Sequence, residues 1–141
     1  MLFRSETVLA LQPDHARLAA LGTKVGVAAR HRTESEVPLI ARHNREARAF
    51  AQQERATAAS PDLEVRAFAA PIGVNEDQVT GSLNASLAQW LMQDGRMPER
   101  YLASQGLNLG RAGQVHLQRD ASGQVWVGGE SVGCVDGHVR I

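Results

Sequence analysis

Apolar positions recur along this chain at two periods, and the switches between them predict an α+β fold. Leu83, Leu87, Trp90 and Leu91 fall at i, i+4, i+7 and i+8, one stripe at the helical period. That spacing predicts a helix from near Thr80 to Asp94, with Thr80 or Ser82 suited to its start and Gly95 to the left-handed position past its end. Pro13 and Asp14 open a shorter helix that runs through Leu21 and stops at Gly22. Residues 24–29 (KVGVAA) and Leu63–Ala69 (LEVRAFA) alternate as strands do, the second with Leu63, Val65 and Ala67 on one side. Residues 100–105, 114–119 and 124–128 are further strands, the last two joined by a loop at 120–123. Residues 131–135 and 138–141 flank Asp136-Gly137, a two-residue hairpin signal. Residues 6–11 read as a short extended piece. Residues 37–41 and 47–51 read as a strand or hairpin, followed by a loop ending at Ser60-Pro61.

Composition narrows the classes open to such a chain. Its 141 residues are 43% apolar, 21% charged and 4% aromatic, the balance of a globular domain with a modest core. Fifteen basic residues offset fifteen acidic ones, so no global field steers the chain toward nucleic acid or anionic lipid. The arginines at 30, 32, 42, 45, 48 and 55 are interspersed with glutamates and only Phe50 accompanies them, the pattern of a solvated face rather than a nucleic-acid site. Cys134 is the only cysteine, which excludes an internal disulfide, and we expect it to be a small buried residue in a strand. The histidines at 15, 31, 43, 116 and 138 lack metal-ligand spacing, and no metal is expected. Trp90 and Trp126 are expected in the core. No apolar run approaches the roughly 20 residues of a membrane span, and no apolar signal stretch begins the chain, so a cytoplasmic location is expected.

One segment carries chemistry. Residues 73–82 read GVNEDQVTGS, two adjacent carboxylates followed by a Thr-Gly-Ser step into the amphipathic helix. A helix start offers unpaired N–H groups and partial positive charge, so it binds an anion readily. Gly81 lets a ligand approach the backbone, Ser82 adds a hydroxyl donor, and Asp77 would lie near the reacting carbons. The residues alone leave a second reading open, in which Thr80 or Ser82 merely caps the helix.

The segment resembles the Glu-Asp-Pro-(Val/Ala)-Thr-Gly-Ser element of the PhzF-like isomerases, the phenazine-biosynthesis branch of the diaminopimelate-epimerase fold. RAFAAPIGVNED is similar to the strand and loop before that element, and SLNASLAQWL to the helix after it. ASQGLNLGRAGQVHL resembles the family's Gln-Gly-x-x-x-Gly-Arg-x-Gly segment, VWVGGESVGCVDGHV its closing strands, and PDHARLAALGTKVGVAA the start of the same lobe. The resemblance implies one lobe of a two-lobed fold, an antiparallel sheet wrapped around a central helix. It further implies proton transfer on a small carboxylate-bearing metabolite, with neither cofactor nor metal, in a cleft between lobes. By the resemblance Asp77 is catalytic, holding or protonating the substrate. Thr80, Gly81 and Ser82 bind its carboxylate, and Gln105 and Gly106 approach the same cleft. Gln78 stands where the family usually has Pro, which loosens the loop.

The family's general acid/base is a glutamate of the first lobe, and Glu6, Glu34 and Glu36 lie in no matching motif. Residues 6–141 are therefore expected to be the second lobe. The first lobe is its expected partner, and the intact protein is expected to be a homodimer. Met1-Leu-Phe-Arg-Ser5 resembles no part of the family and reads as a non-native leader. A two-cysteine racemase is not expected, because the Thr-Gly-Ser step stands where that branch has a cysteine. A non-catalytic module that binds a small carboxylate at the same helix start is the competing reading.

Overall fold

The computed structural model describes residues 5–31 and 60–140. Their elements are α1 (Ser5–Ala10), α2 (His15–Ala20), β1 (Val25–Arg30), β2 (Leu63–Ala69), a 3-10 turn at Ala70–Ile72 and β3 (Val74–Asp77). There follow α3 (Gly81–Gln93), β4 (Arg100–Gln105), a second 3-10 turn at Leu107–Leu109, β5 (Gly113–Arg119) and β6 (Val125–Gly128). The expected α+β class holds. The six strands form one sheet in the order β1-β2-β4-β5-β6, with β3 also paired to β2. Every pairing is antiparallel except β2 with β4, so the sheet is mixed rather than wholly antiparallel.

The central strand β2 is buried along both faces, which explains a run of six buried residues where simple alternation predicts three. Leu63 and Val65 face the core with Ala103, Val115, Leu117 and Val125 from the neighbouring strands, and α3 covers them through Ala88 and Met92. Glu64, Arg66 and Phe68 share the opposite face by the two-residue period, and α1 and α2 pack against that side. Helix α3 has the predicted length, but its most buried line is Asn84, Ala88 and Met92. The small Ala88 and the hydrogen-bonded Asn84 allow close approach to the sheet, so Leu83, Leu87 and Leu91 flank the contact. Trp90 turns out instead, 54% exposed, contrary to its expected place in the core.

Four further expectations are corrected. Residues 6–11 are expected to be extended, yet Ser5–Ala10 is helical, and Arg66 holds its C-terminal end by donating to Val8 O, Leu9 O and, just past the helix, Leu11 O. The hairpin expected around Asp136-Gly137 is absent: residues 129–140 have no regular structure, and Val132, Val135 and Val139 are all exposed. A turn signal cannot hold two short strands that have no sheet or helix face to lie on. Cys134 is accordingly exposed. Trp126 lies on the outer side of β6, where its indole N–H donates to Asp120 Oδ2 at 2.8 Å. The strand or hairpin expected at 37–41 and 47–51, and most of the arginine cluster, lie outside the described residues. No described helix is long and apolar enough to cross a membrane.

Candidate functional site

The sheet's pairing pattern delivers the motif of residues 73–82 to one point. Along one edge of β2, β4 pairs in parallel at Leu63–Val65, and β3 pairs antiparallel at Ala67 and Ala69. Running in opposite directions beside the same strand, β3 and β4 bring their last residues, Asp77 and Gln105, together. Gly73, at φ 83°, closes the 3-10 turn and lets the chain reverse into β3. From Asp77 the chain needs only Gln78, Val79 and the extended Thr80 to enter α3.

Thr80 occupies the cap position of α3, yet its side chain does not cap the helix. Its hydroxyl donates to Asp77 Oδ2 at 2.6 Å. Gln105, 1% exposed, holds this arrangement from behind. Its Oε1 accepts from the Thr80 N–H at 3.0 Å and from Asn84 Nδ2 at 2.9 Å. Its Nε2 donates to Asp77 O at 3.1 Å and to Thr80 Oγ1 at 3.0 Å. Asn84, fully buried, also donates to Thr80 O at 2.9 Å, while its own Oδ1 has no partner. The reading in which the hydroxyl of Thr80 or Ser82 caps the helix therefore fails. Among the described residues nothing accepts from the N–H groups of Gly81, Ser82 or Leu83.

These groups border a cavity of about 440 Å³ lined by Asp77, Thr80, Ser82 and Ser86, by Lys24 and Val25 before and in β1, and by apolar groups that include Phe68, Ile72 and Leu83. Gly81 leaves the approach open, since a Cβ there would meet nothing within 4 Å. Of the sequence-predicted residues, Asp77, Thr80 and Ser82 thus line the cavity and Gly81 stands at its edge. Gln105 and Gly106 lie behind the loop. Gly106 has φ 94°, and a Cβ there would sit 2.6 Å from Gln78 O, so this glycine lets the turn after β4 press against the loop that bears Asp77.

Glu76 and Asp77, adjacent in sequence, point to different surroundings. Glu76 makes a two-pronged pair with Arg66, Nε to Oε1 and Nη2 to Oε2 at 2.8 Å each, with both side chains buried. Of the two, it is Asp77 that lines the cavity. A second cavity of about 430 Å³, between β1 and α3, is lined by Leu63, Leu87, Trp90 and Leu91 together with Arg30 and Arg96, and carries no carboxylate or hydroxyl. On the α1 side of the sheet, Glu64 Oε2 accepts from Ser104 Oγ at 2.5 Å and lies 3.3 Å from His31 Nε2. Glu64 is not among the residues lining either cavity.

Sequence reasoning missed Lys24, Asn84 and Arg66. Asn84 lies off the apolar stripe of the helix, and Arg66 showed only as one polar position in an alternating strand. Their roles arise from strand pairing that no local spacing encodes. The alternation of residues 24–29 did carry a trace of Lys24, two positions before Gly26.

Chemically, the arrangement offers backbone N–H groups, the positive end of a helix of 13 residues and the hydroxyl of Ser82 to one anion, beside a carboxyl held in fixed orientation. The sequence matches the family described as phenazine biosynthesis-like protein over residues 2–137. No individual curated protein matches the chain.

Proposed function

The chain belongs to the phenazine biosynthesis-like protein family, and from that premise we propose that it is the carboxylate-binding lobe of an isomerase that moves a proton on a small metabolite without a cofactor. The observation that carries this reading is the diversion of the Thr80 hydroxyl from the helix start to Asp77. It leaves the N–H groups of Gly81 and Ser82 to an external anion and fixes the Asp77 carboxyl at the side of that anion.

In this reading the substrate carboxylate lies on those N–H groups and accepts from Ser82 Oγ. The carbons next to it then face Asp77. Removing a proton from such a carbon pushes charge back onto the carboxylate oxygens. Donors already aimed at those oxygens stabilise the transition state more than the ground state, which is what accelerates the step. Asp77 holds or returns the proton on its side of the substrate. Gln105 acts through Thr80 and the Asp77 carbonyl, as a positioning residue, and Gly106 keeps the turn tight behind it.

The complementary acid/base belongs, by the family resemblance, to a glutamate of a first lobe. The cleft is completed by that lobe, and this lobe alone binds without turning over. Glu76 does not substitute for that glutamate, because Arg66 engages both of its oxygens.

The test is made in a two-lobed family member. The counterparts of Asp77→Asn and Ser82→Ala are expected to lower kcat/KM by about a hundredfold or more, the usual scale for a proton-transfer group or an aimed oxyanion donor. Unchanged turnover in both would remove the site assignment.

A further inference from the structure

We propose that the ligand of this cavity is a small organic diacid, with one acid group on the start of α3 and the second on Lys24. The inference rests on the preceding reading of that helix start as a carboxylate site and adds the second charge.

Lys24 lines the cavity from just before β1. Its direction follows from the strand that it precedes. A Cβ added to Gly26 would lie 2.5 Å from Leu83 Cδ1, so the Gly26 face of β1 is the one against α3. Continued one residue ahead of β1, the same alternation puts Lys24 on this face, roughly 6.6 Å farther along at the rise of a strand. This carries its side chain past Leu83 toward the first turn of α3. Ser82 and Ser86, one helical turn apart, line the cavity on that side.

Among the described residues no carboxylate pairs with Lys24. The two acids best placed to do so are otherwise engaged or turned away. Glu76 is held by Arg66, and Asp77, in the same cavity, takes the Thr80 hydroxyl rather than the ammonium. The cavity thus presents two separate positive features, a helix start and an ammonium, on different walls. A monoacid satisfies one of them. A diacid of a few carbons satisfies both, while its backbone lies on Phe68, Ile72 and Leu83. Lys24 is also the one lysine among the fifteen basic residues. A compact ammonium on a flexible stem adapts to an acid group whose angle is not fixed, which a planar guanidinium does less well.

The experiment titrates the full chain, 15N-labelled and at constant ionic strength, with succinate and with butyrate, following the amide signals of Gly81 and Ser82. Succinate is expected to bind about fivefold more tightly, the scale of one exposed ion pair. Lys24→Met should bring succinate down to the level of butyrate, whereas Ser82→Ala should weaken both. The exposed position of Lys24 keeps the fold out of the comparison. Equal affinity for the two acids in the parent chain, or a succinate preference that survives Lys24→Met, overturns the diacid proposal and leaves the carboxylate reading standing. Failure of butyrate to move Gly81 and Ser82 in the parent chain overturns both.

Discussion

Single side chains here are set by what lies behind them as much as by what they face. The convergence of Asp77, Thr80, Gly81 and Ser82 was legible because the four occupy one contiguous stretch, and a strand end feeding a helix start has a recognisable residue order. The support beneath them was not legible. Gln105 was expected in the cleft with the ligand, and the structure buries it under Thr80 with both ends of its amide engaged. Tyr101 shows the cost of burial without such support. Among the described residues its hydroxyl has no partner, and burial pushes its pKa up to about 12. In the unfolded chain a tyrosine ionises near about 10. Between those values the unfolded state has released the proton and the folded state retains it, so stability falls as pH rises through this window. Tyr101→Phe removes the effect. Urea midpoints of the variant are expected to match or exceed those of the parent at pH 7 and to decline less between pH 10 and pH 12. A parallel decline in both proteins would assign the loss elsewhere.

Elements were legible where their own pattern decided them and illegible where another element did. Helix α3 and strands β2, β4, β5 and β6 follow from periodicity, and the loop between β5 and β6 from its Asp and Gly. Asp120 accepts from the Ser122 and Gln124 N–H groups and from the hydroxyl of Ser122, which closes that hairpin locally. Residues 6–11 read as extended by themselves, and the contact that holds them as α1 comes from Arg66, distant in sequence. That guanidinium joins the carbonyl end of α1 to Glu76, the neighbour of Asp77. Arg66→Met is expected to destabilise the fold by about 3 to 5 kcal/mol, because it strands a buried carboxylate. Adding Glu76→Leu should restore a large part of that loss, as a buried pair replaced by apolar groups is often near neutral. Chemical denaturation of the two single variants and the double variant measures the coupling. Additive losses would mean that the pair is not the link between α1 and the site loop.

At the scale of the whole molecule, a layer order of α1 and α2, sheet, then α3 places the helix start and the ends of β3 and β4 on one rim. The α+β class could be anticipated from the sequence. The parallel pairing of β2 with β4 could not, and it is this pairing that carries Gln105 to Asp77. Nor could the course of residues 129–140, where valines that read as strand positions find no surface to cover. The account as a whole depends on one feature of this rim, a helix start whose cap hydroxyl belongs to Asp77. A crystal structure of the chain with a small carboxylate bound tests it most directly. The account predicts carboxylate oxygens about 3 Å from the Gly81 and Ser82 nitrogens and from Ser82 Oγ, with the Thr80 hydroxyl still on Asp77. A carboxylate seated instead in the cavity beside Trp90, on Arg30 or Arg96, or a Thr80 hydroxyl returned to cap α3, would contradict it.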